Sequence, residues 1–170
     1  MAKLMGAALL IGCGAWWGLK VSGGLLGRVR DLEAWLTALR LLEGELAFSL
    51  PSMPDLLERL SRNAPPPAGG VFANTLRGLD RLGELPFEAI WTAALKASPG
   101  CLSPHDLENL KRLGGVLGRY GWEEQLAALR ALRRDLEESR SAARSESGSK
   151  GRTYTALGFA LGAFLTILLL

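Results

Sequence analysis

An all-α fold is what this sequence predicts, and three observations predict it. Leucines and other apolar residues recur at spacings of three and four through most of the chain, the period of a helix face. Valine occurs only four times, and no stretch sustains the two-residue alternation of a strand. The prolines fall between the periodic runs, where they end one helix and open the next. The 170 residues divide into a membrane anchor at 1–27, a helical cytoplasmic domain at 28–145, a short tether at 146–152 and a second membrane anchor at 153–170. The expected architecture is a bundle of about six helices flanked by two transmembrane helices.

The C-terminal anchor is the clearer of the two. Thr153 to Leu170 carries no charge and as a helix rises about 27 Å, close to a bilayer's hydrocarbon thickness. Lys150 and Arg152 precede it and Tyr154 sits at its edge, as suits a cytoplasmic interface. At the other end, Leu4 to Leu19 is uncharged between Lys3 and Lys20. If Lys20 snorkels, that span extends to Gly27, and Arg28 and Arg30 come next. The basic flanks of both anchors border the central domain, which places that domain in the cytoplasm, both termini outside and membrane lipid around the ends. A rival reading comes from Leu10-Ile11-Gly12-Cys13, which resembles a lipoprotein processing box and would make the chain an exported adaptor lipidated at Cys13. The apolar run continues past the cysteine through Trp16, Trp17 and Leu19, which a retained helix needs and a processed lipoprotein does not.

The first bundle helix is expected over Asp31 to Phe48, with Leu32, Trp35, Leu36, Leu39, Leu42 and Leu46 on one face. Pro51 and Pro54 break it, and Pro54-Asp55 suits the first turn of a second helix carrying Leu56, Leu57 and Leu60. Ala64 to Gly70, with its three prolines, reads as a loop. A third helix is expected over Val71 to Leu82. Pro86 opens a fourth with Phe87, Ile90, Trp91 and Leu95, ended by Pro99-Gly100. Ser103 is the N-cap of the fifth, with Pro104 at the first position and Leu107, Leu110, Leu113 and Leu117 as its stripe. Gly121 separates it from a sixth helix, Trp122 to about Arg144, with Leu126, Leu129, Leu132 and Leu136. Beyond Ser139 the composition turns to serine, alanine, arginine and glycine, from which a fraying tether is expected.

Charge excludes several function classes. The chain is +3 overall, but residues 28–152 hold all 17 acidic and 18 of the 20 basic residues and are only +1. With no basic stripe interleaved with aromatics, no nucleic-acid partner is implied. Cys13, Cys101 and His105 are too few and too scattered for a disulfide framework or a zinc site. Glu43 and Glu45 lie two residues apart, roughly 200° around a helix, so they do not form an acid–base pair. Glu123 and Glu124 open a helix, where negative charge suits the dipole. Gly114, Gly115 and Gly118 lack the preceding strand and following lysine of a phosphate loop. No catalytic site, cofactor or small-molecule substrate is predicted.

Three stretches, taken together, resemble a known family. The first is Lys3-Leu4-x-Gly6-Ala7 with Trp16-x-Gly18. The second is Ala38-Leu39-x-x-Leu42-Glu43-x-Glu45-Leu46 with Pro51 beyond. The third is Leu110-Lys111-x-x-Gly114-x-x-Leu117-Gly118 with Gln125 further on, completed by Leu157-Gly158-Phe159-x-x-Gly162. In this order they resemble the stage III sporulation protein AB family of endospore-forming bacteria, over essentially the whole chain. Gly121 stands where that pattern has an aspartate, and Leu113 replaces a usual aromatic. The resemblance implies a non-enzymatic component of the channel complex between mother cell and forespore, in the mother-cell membrane at the septum or engulfing membrane. It also implies a helical domain similar to the cytoplasmic domains of secretion-system platforms, and as partners a sporulation ATPase and other membrane proteins of the channel. Glu43, Glu45, Gly114, Gly118, Gly121 and Gln125 are then the candidate docking residues. At least one of the two glutamates is expected to be exposed or paired with a basic residue such as Arg40 or Arg112.

Overall fold

The computed structural model describes the backbone of residues 2–48, 51–98, 100–117 and 122–169, and the side chains of that set within 24–148, Trp122 excepted. These residues form six α-helices: α1 (Ala2–Phe48), α2 (Met53–Asn63), α3 (Ala68–Gly78), α4 (Phe87–Ala97), α5 (Pro104–Val116) and α6 (Trp122–Leu169). A single 3-10 turn, Leu79–Arg81, extends α3. The chain separates into two compact units. One comprises Arg28–Ser141; the other is made by the two ends, Met1–Gly27 and Ala142–Leu170. Among the described residues no helix is long and apolar enough to cross a membrane. Almost all side chains of the two expected anchors, 1–27 and 153–170, lie outside the described set.

The larger unit forms because each short helix has one apolar face and a sharp start. Ser52 caps α2 by accepting from the Asp55 N–H, with Pro54 in the first turn. Ser103 and Asp106 cap α5 reciprocally, each side chain accepting from the other's backbone N–H, with Pro104 at the start. The predicted faces are the buried ones: Leu32, Trp35, Leu36, Leu39, Leu42 and Leu46 of α1, and Leu56, Leu57 and Leu60 of α2. Ile90, Trp91 and Leu95 of α4, Leu110 and Leu113 of α5, and Leu129, Leu132 and Leu136 of α6 are buried as well, whereas Phe87, Leu107 and Leu126 of the same predicted stripes are only half-buried. At the centre, Trp35, Phe72 and Trp91 meet with ring centroids 6.0, 6.1 and 5.7 Å apart and tilted or edge-on planes, the arrangement that suits aromatic quadrupoles.

Three boundaries differ from those the sequence predicts. The loop expected over Ala64 to Gly70 ends at Pro67, because α3 starts with Ala68 and Gly69 already buried against α2. A Cβ on Gly69 would stand 2.5 Å from the Ala64 carbonyl oxygen, so the missing side chain is what lets the helix begin there. The helix expected to reach Leu82 tightens into the 3-10 turn and stops before Gly83, whose φ of 118° only glycine adopts without strain. The backbone of α6 remains helical through 146–152, where a tether was expected. Serine and two isolated glycines lower helix propensity, but without a proline nothing in that stretch forbids the ladder.

Candidate docking groove

Gly114 and Gly115 form part of an open apolar groove of about 480 Å³ within the larger unit. Its walls come from the start of α2 (Met53, Pro54), the 3-10 turn and the residue just past it (Leu79, Leu82), the start of α4 (Pro86, Phe87, Glu88) and the end of α5 (Gly114, Gly115, Leu117). Leu82 is 57% exposed, although nothing polar about its side chain favours water. Glu88 stands at one edge, over Gly115.

The two glycines of α5 have different reasons. A Cβ on Gly114 would lie 2.5 Å from Cδ1 and 2.8 Å from Cγ of Trp91. The indole lies flush on the helix at that point and donates its N–H to the Leu110 carbonyl at 2.8 Å. Gly114 is therefore a packing glycine. For Gly115 the nearest atoms to such a Cβ are those of the Glu88 carboxylate, 3.8 Å away.

Glu43 and Glu45 do point to different neighbours, as their spacing requires. Glu43 Oε1 lies 3.2 Å from Nε of Arg133 on α6, and Arg133 also approaches Glu137 at 3.6 Å. Both atoms of the first pair are buried and off the line of a good hydrogen bond, so the attraction is Coulombic. Glu45 accepts from Arg59 of α2 at 3.0 Å, in a more exposed pair. Each glutamate is paired with a basic residue, as expected, but with Arg133 and Arg59 rather than Arg40 or Arg112, because each carboxylate reaches across to the helix packed beside it. Gln125 is half-buried in the first turn of α6 and already engaged. Gly118 and Gly121 lie outside the described residues. The docking candidates thus sit in separate places: Gly114 in the groove, the glutamates on two helix–helix contacts.

One constellation was not legible in the sequence. Asp106 is fully buried and receives Arg28 through Nε at 2.8 Å and Nη2 at 3.2 Å, besides the Ser103 N–H. Burial alone would raise its pKa, but hydrogen bonds from Arg28, Ser103 and Ser139 outweigh that and hold it at about 2. Asp31, one turn beyond Arg28, accepts the Cys101 N–H at 2.5 Å. The middle of α1 is thereby fastened to the start of α5 and the loop before it. Among the described residues no group of three or more metal-ligating side chains converges.

The family model for stage III sporulation protein AB matches residues 3–170. The chain belongs to that family. Stage III sporulation protein AB of Bacillus subtilis (strain 168) is 24% identical over 172 residues, covering all of both chains. A solved structure titled stage III sporulation protein AB (SpoIIIAB) superposes with a TM-score of 0.63 at 22% identity, spanning 71% of this chain and 96% of that one. At that identity the likeness speaks for the fold, an all-helical bundle of six helices. As a member of the stage III sporulation protein AB family, the chain is a sporulation protein, and Gly114 and Leu117 of the motif that begins at Leu110 are among the residues lining the groove.

Proposed function

We propose that this protein is a non-enzymatic membrane component of the channel complex between mother cell and forespore, and that its helical domain docks a cytoplasmic ATPase. The domain sits on the mother-cell side, at the septum or engulfing membrane, held by the anchors at 1–27 and 153–170. Other membrane proteins of the channel are its further partners. One observation carries the reading: Gly114 and Leu117 of the family motif line an apolar groove in which Leu82 is left 57% exposed. Apolar surface left in a concave site is where a partner gains most from burial. Glu43 and Glu45 enter this reading as the links that fix α1 against α6 and α2.

The test is capture of the sporulation ATPase by the full chain, in membranes from sporulating cells and then with both proteins purified. Capture lost on Leu82→Asp, with melting unchanged, supports docking at the groove. No capture by the wild-type chain in either setting overturns the reading.

A further inference from the structure

Resting on that docking reading, we infer that the groove takes an amphipathic helix of the partner whose apolar stripe is flanked by lysine or arginine. Three observations converge on this occupant.

The groove's walls are helices and the turn after α3, so no strand edge is offered for an extended peptide to pair with. Phe87 is the sole aromatic residue among its described lining residues, which do not make the aromatic-ridged track that proline-rich segments use. A helix laid into the groove satisfies its own backbone and brings only side chains, which leaves the helix-in-groove mode.

Gly115 is the second observation. Glycine inside a helix costs up to about 1 kcal/mol relative to alanine. At Gly114 the Trp91 ring requires it, but at Gly115 nothing among the described residues does, since an added Cβ would find only ordinary contact at 3.8 Å. Bare backbone on the groove side lets a second helix approach more closely than any side chain would allow.

Charge decides the flanks. The segments that build the groove, residues 53–55, 79–88 and 114–117, carry Asp55, Asp80, Glu84 and Glu88 against Arg81 alone. All five are exposed. Asp80, Glu84 and Glu88 have no ion-pair partner among the described residues. On a domain that is close to neutral overall, this rim favours cations and repels an anionic lipid surface.

The experiment uses the full chain in phosphatidylcholine nanodiscs, with empty discs subtracted. The probes are helical peptides of about 18 residues, five turns, with leucines at i, i+3, i+4 and i+7 and either lysine or glutamate flanks. The lysine-flanked peptide is expected to bind about tenfold more tightly at low salt, with the preference shrinking at high salt. Gly115→Leu, which fills the groove, and Leu82→Asp, which is too exposed to affect folding, should each weaken it about tenfold. The double variant Glu84→Lys, Glu88→Lys should abolish the preference. Equal binding of the two peptides, or unchanged binding in both groove variants, overturns the inference, as does displacement of the peptide by self-association of the chain. ATPase capture is measured on the same variants. If Leu82→Asp loses the peptide yet keeps the ATPase, the docking reading fails and the peptide preference stands. If the ATPase is lost from that variant while the wild type shows no lysine preference, only the inference fails.

Discussion

Arg28 closes on Asp106 across 78 positions of sequence, with Nε and Nη2 on the two carboxylate oxygens at 2.8 and 3.2 Å. The Asp106 side chain has no exposure, whereas the Arg28 side chain keeps 21%, so the aspartate depends on its partners for solvation. It also caps α5, so one residue joins the start of that helix to the middle of α1. Asp106→Asn keeps the shape but removes the charge, and is expected to cost about 3 kcal/mol in denaturant unfolding of a 28–145 fragment. A cost below about 1 kcal/mol would mean that the pair contributes only geometry.

The same carboxylate sets an acid limb. Its folded pKa is about 2 against a reference of 3.8, so the folded state binds its proton less readily than the unfolded state does. The stabilisation is then complete above about pH 5 and is lost as pH falls through 4 toward 2, amounting to on the order of 2 kcal/mol. Unfolding free energies measured from pH 6 to pH 2 should show this slope in the wild type and a shallower one in Asp106→Asn. Parallel curves would refute the assignment.

Adjacent glycines of α5 give opposite expectations. Gly114→Ala drives a methyl group into the Trp91 ring, which is held by the Leu110 carbonyl and does not swing aside freely. Overpacking of this kind costs about 1–3 kcal/mol. Gly115→Ala meets only ordinary contacts and should be neutral or gain up to about 1 kcal/mol from helix propensity. Thermal melting of the two variants side by side checks the pair, and equal destabilisation would contradict it.

Legibility in the sequence depended on whether a feature is local or tertiary. The helix faces were readable because burial of a leucine stripe is a local, periodic property: Leu32 through Leu46 and Leu129 through Leu136 are buried as their spacing predicts. The Ser103 cap was readable for the same reason, with Pro104 directly after it. Arg28 was not, because nothing near it in the chain distinguishes a guanidinium that flanks a membrane segment from one that reaches a helix cap 78 residues away. Glu43 and Glu45 were readable as needing partners, but which helix packs beside each is a tertiary fact, and it made the partners Arg133 and Arg59. The glycine run of α5 drew notice, yet only Trp91 explains why Gly114 and Gly115 differ.

The two buried tryptophans of the aromatic cluster should also respond differently. Trp91 spends its N–H on the Leu110 carbonyl, whereas the Trp35 N–H is buried without a hydrogen-bond partner among the described residues. Replacement by phenylalanine removes a comparable ring volume at each. At position 91 it also removes a hydrogen bond worth about 1 kcal/mol, and at 35 it relieves an unpaired donor worth about 1–3 kcal/mol. Trp35→Phe should therefore be the milder change in chemical denaturation, and the reverse order would place an unseen acceptor beside Trp35.

Topology can be read with a native handle. Cys101 is free and exposed, and the chain's other cysteine is Cys13. In a Cys13→Ser background, a membrane-impermeant maleimide should fail to label Cys101 in intact cells and should label it after lysis, if residues 28–145 face the cytoplasm. Labelling from outside would reverse the topology. The substitution itself tests the lipoprotein alternative: a change in apparent mass or a block in processing would mean that Cys13 carries the lipid.

Glu43 and Glu45 separate a folding role from a docking role. The Glu43–Arg133 pair is the more buried, with side-chain exposures of 18% and 32%, but Arg133 keeps Glu137 at 3.6 Å when Glu43 is removed. Glu43→Ala should therefore cost about 1–2 kcal/mol, between an exposed and a buried pair. Arg59, the partner of Glu45, is 54% exposed, and pairs of that kind contribute about 0–1 kcal/mol because water screens them and mobile side chains must be held still. Glu45→Ala should leave melting nearly unchanged. Each variant is then assayed for capture of the ATPase. Loss of capture by Glu45→Ala at wild-type melting temperature would make that glutamate part of the docking surface, beside or apart from the groove. Loss of capture by Glu43→Ala in proportion to its lost stability would assign Glu43 to holding α1 against α6, and capture that survives in both variants would leave the groove as the docking surface.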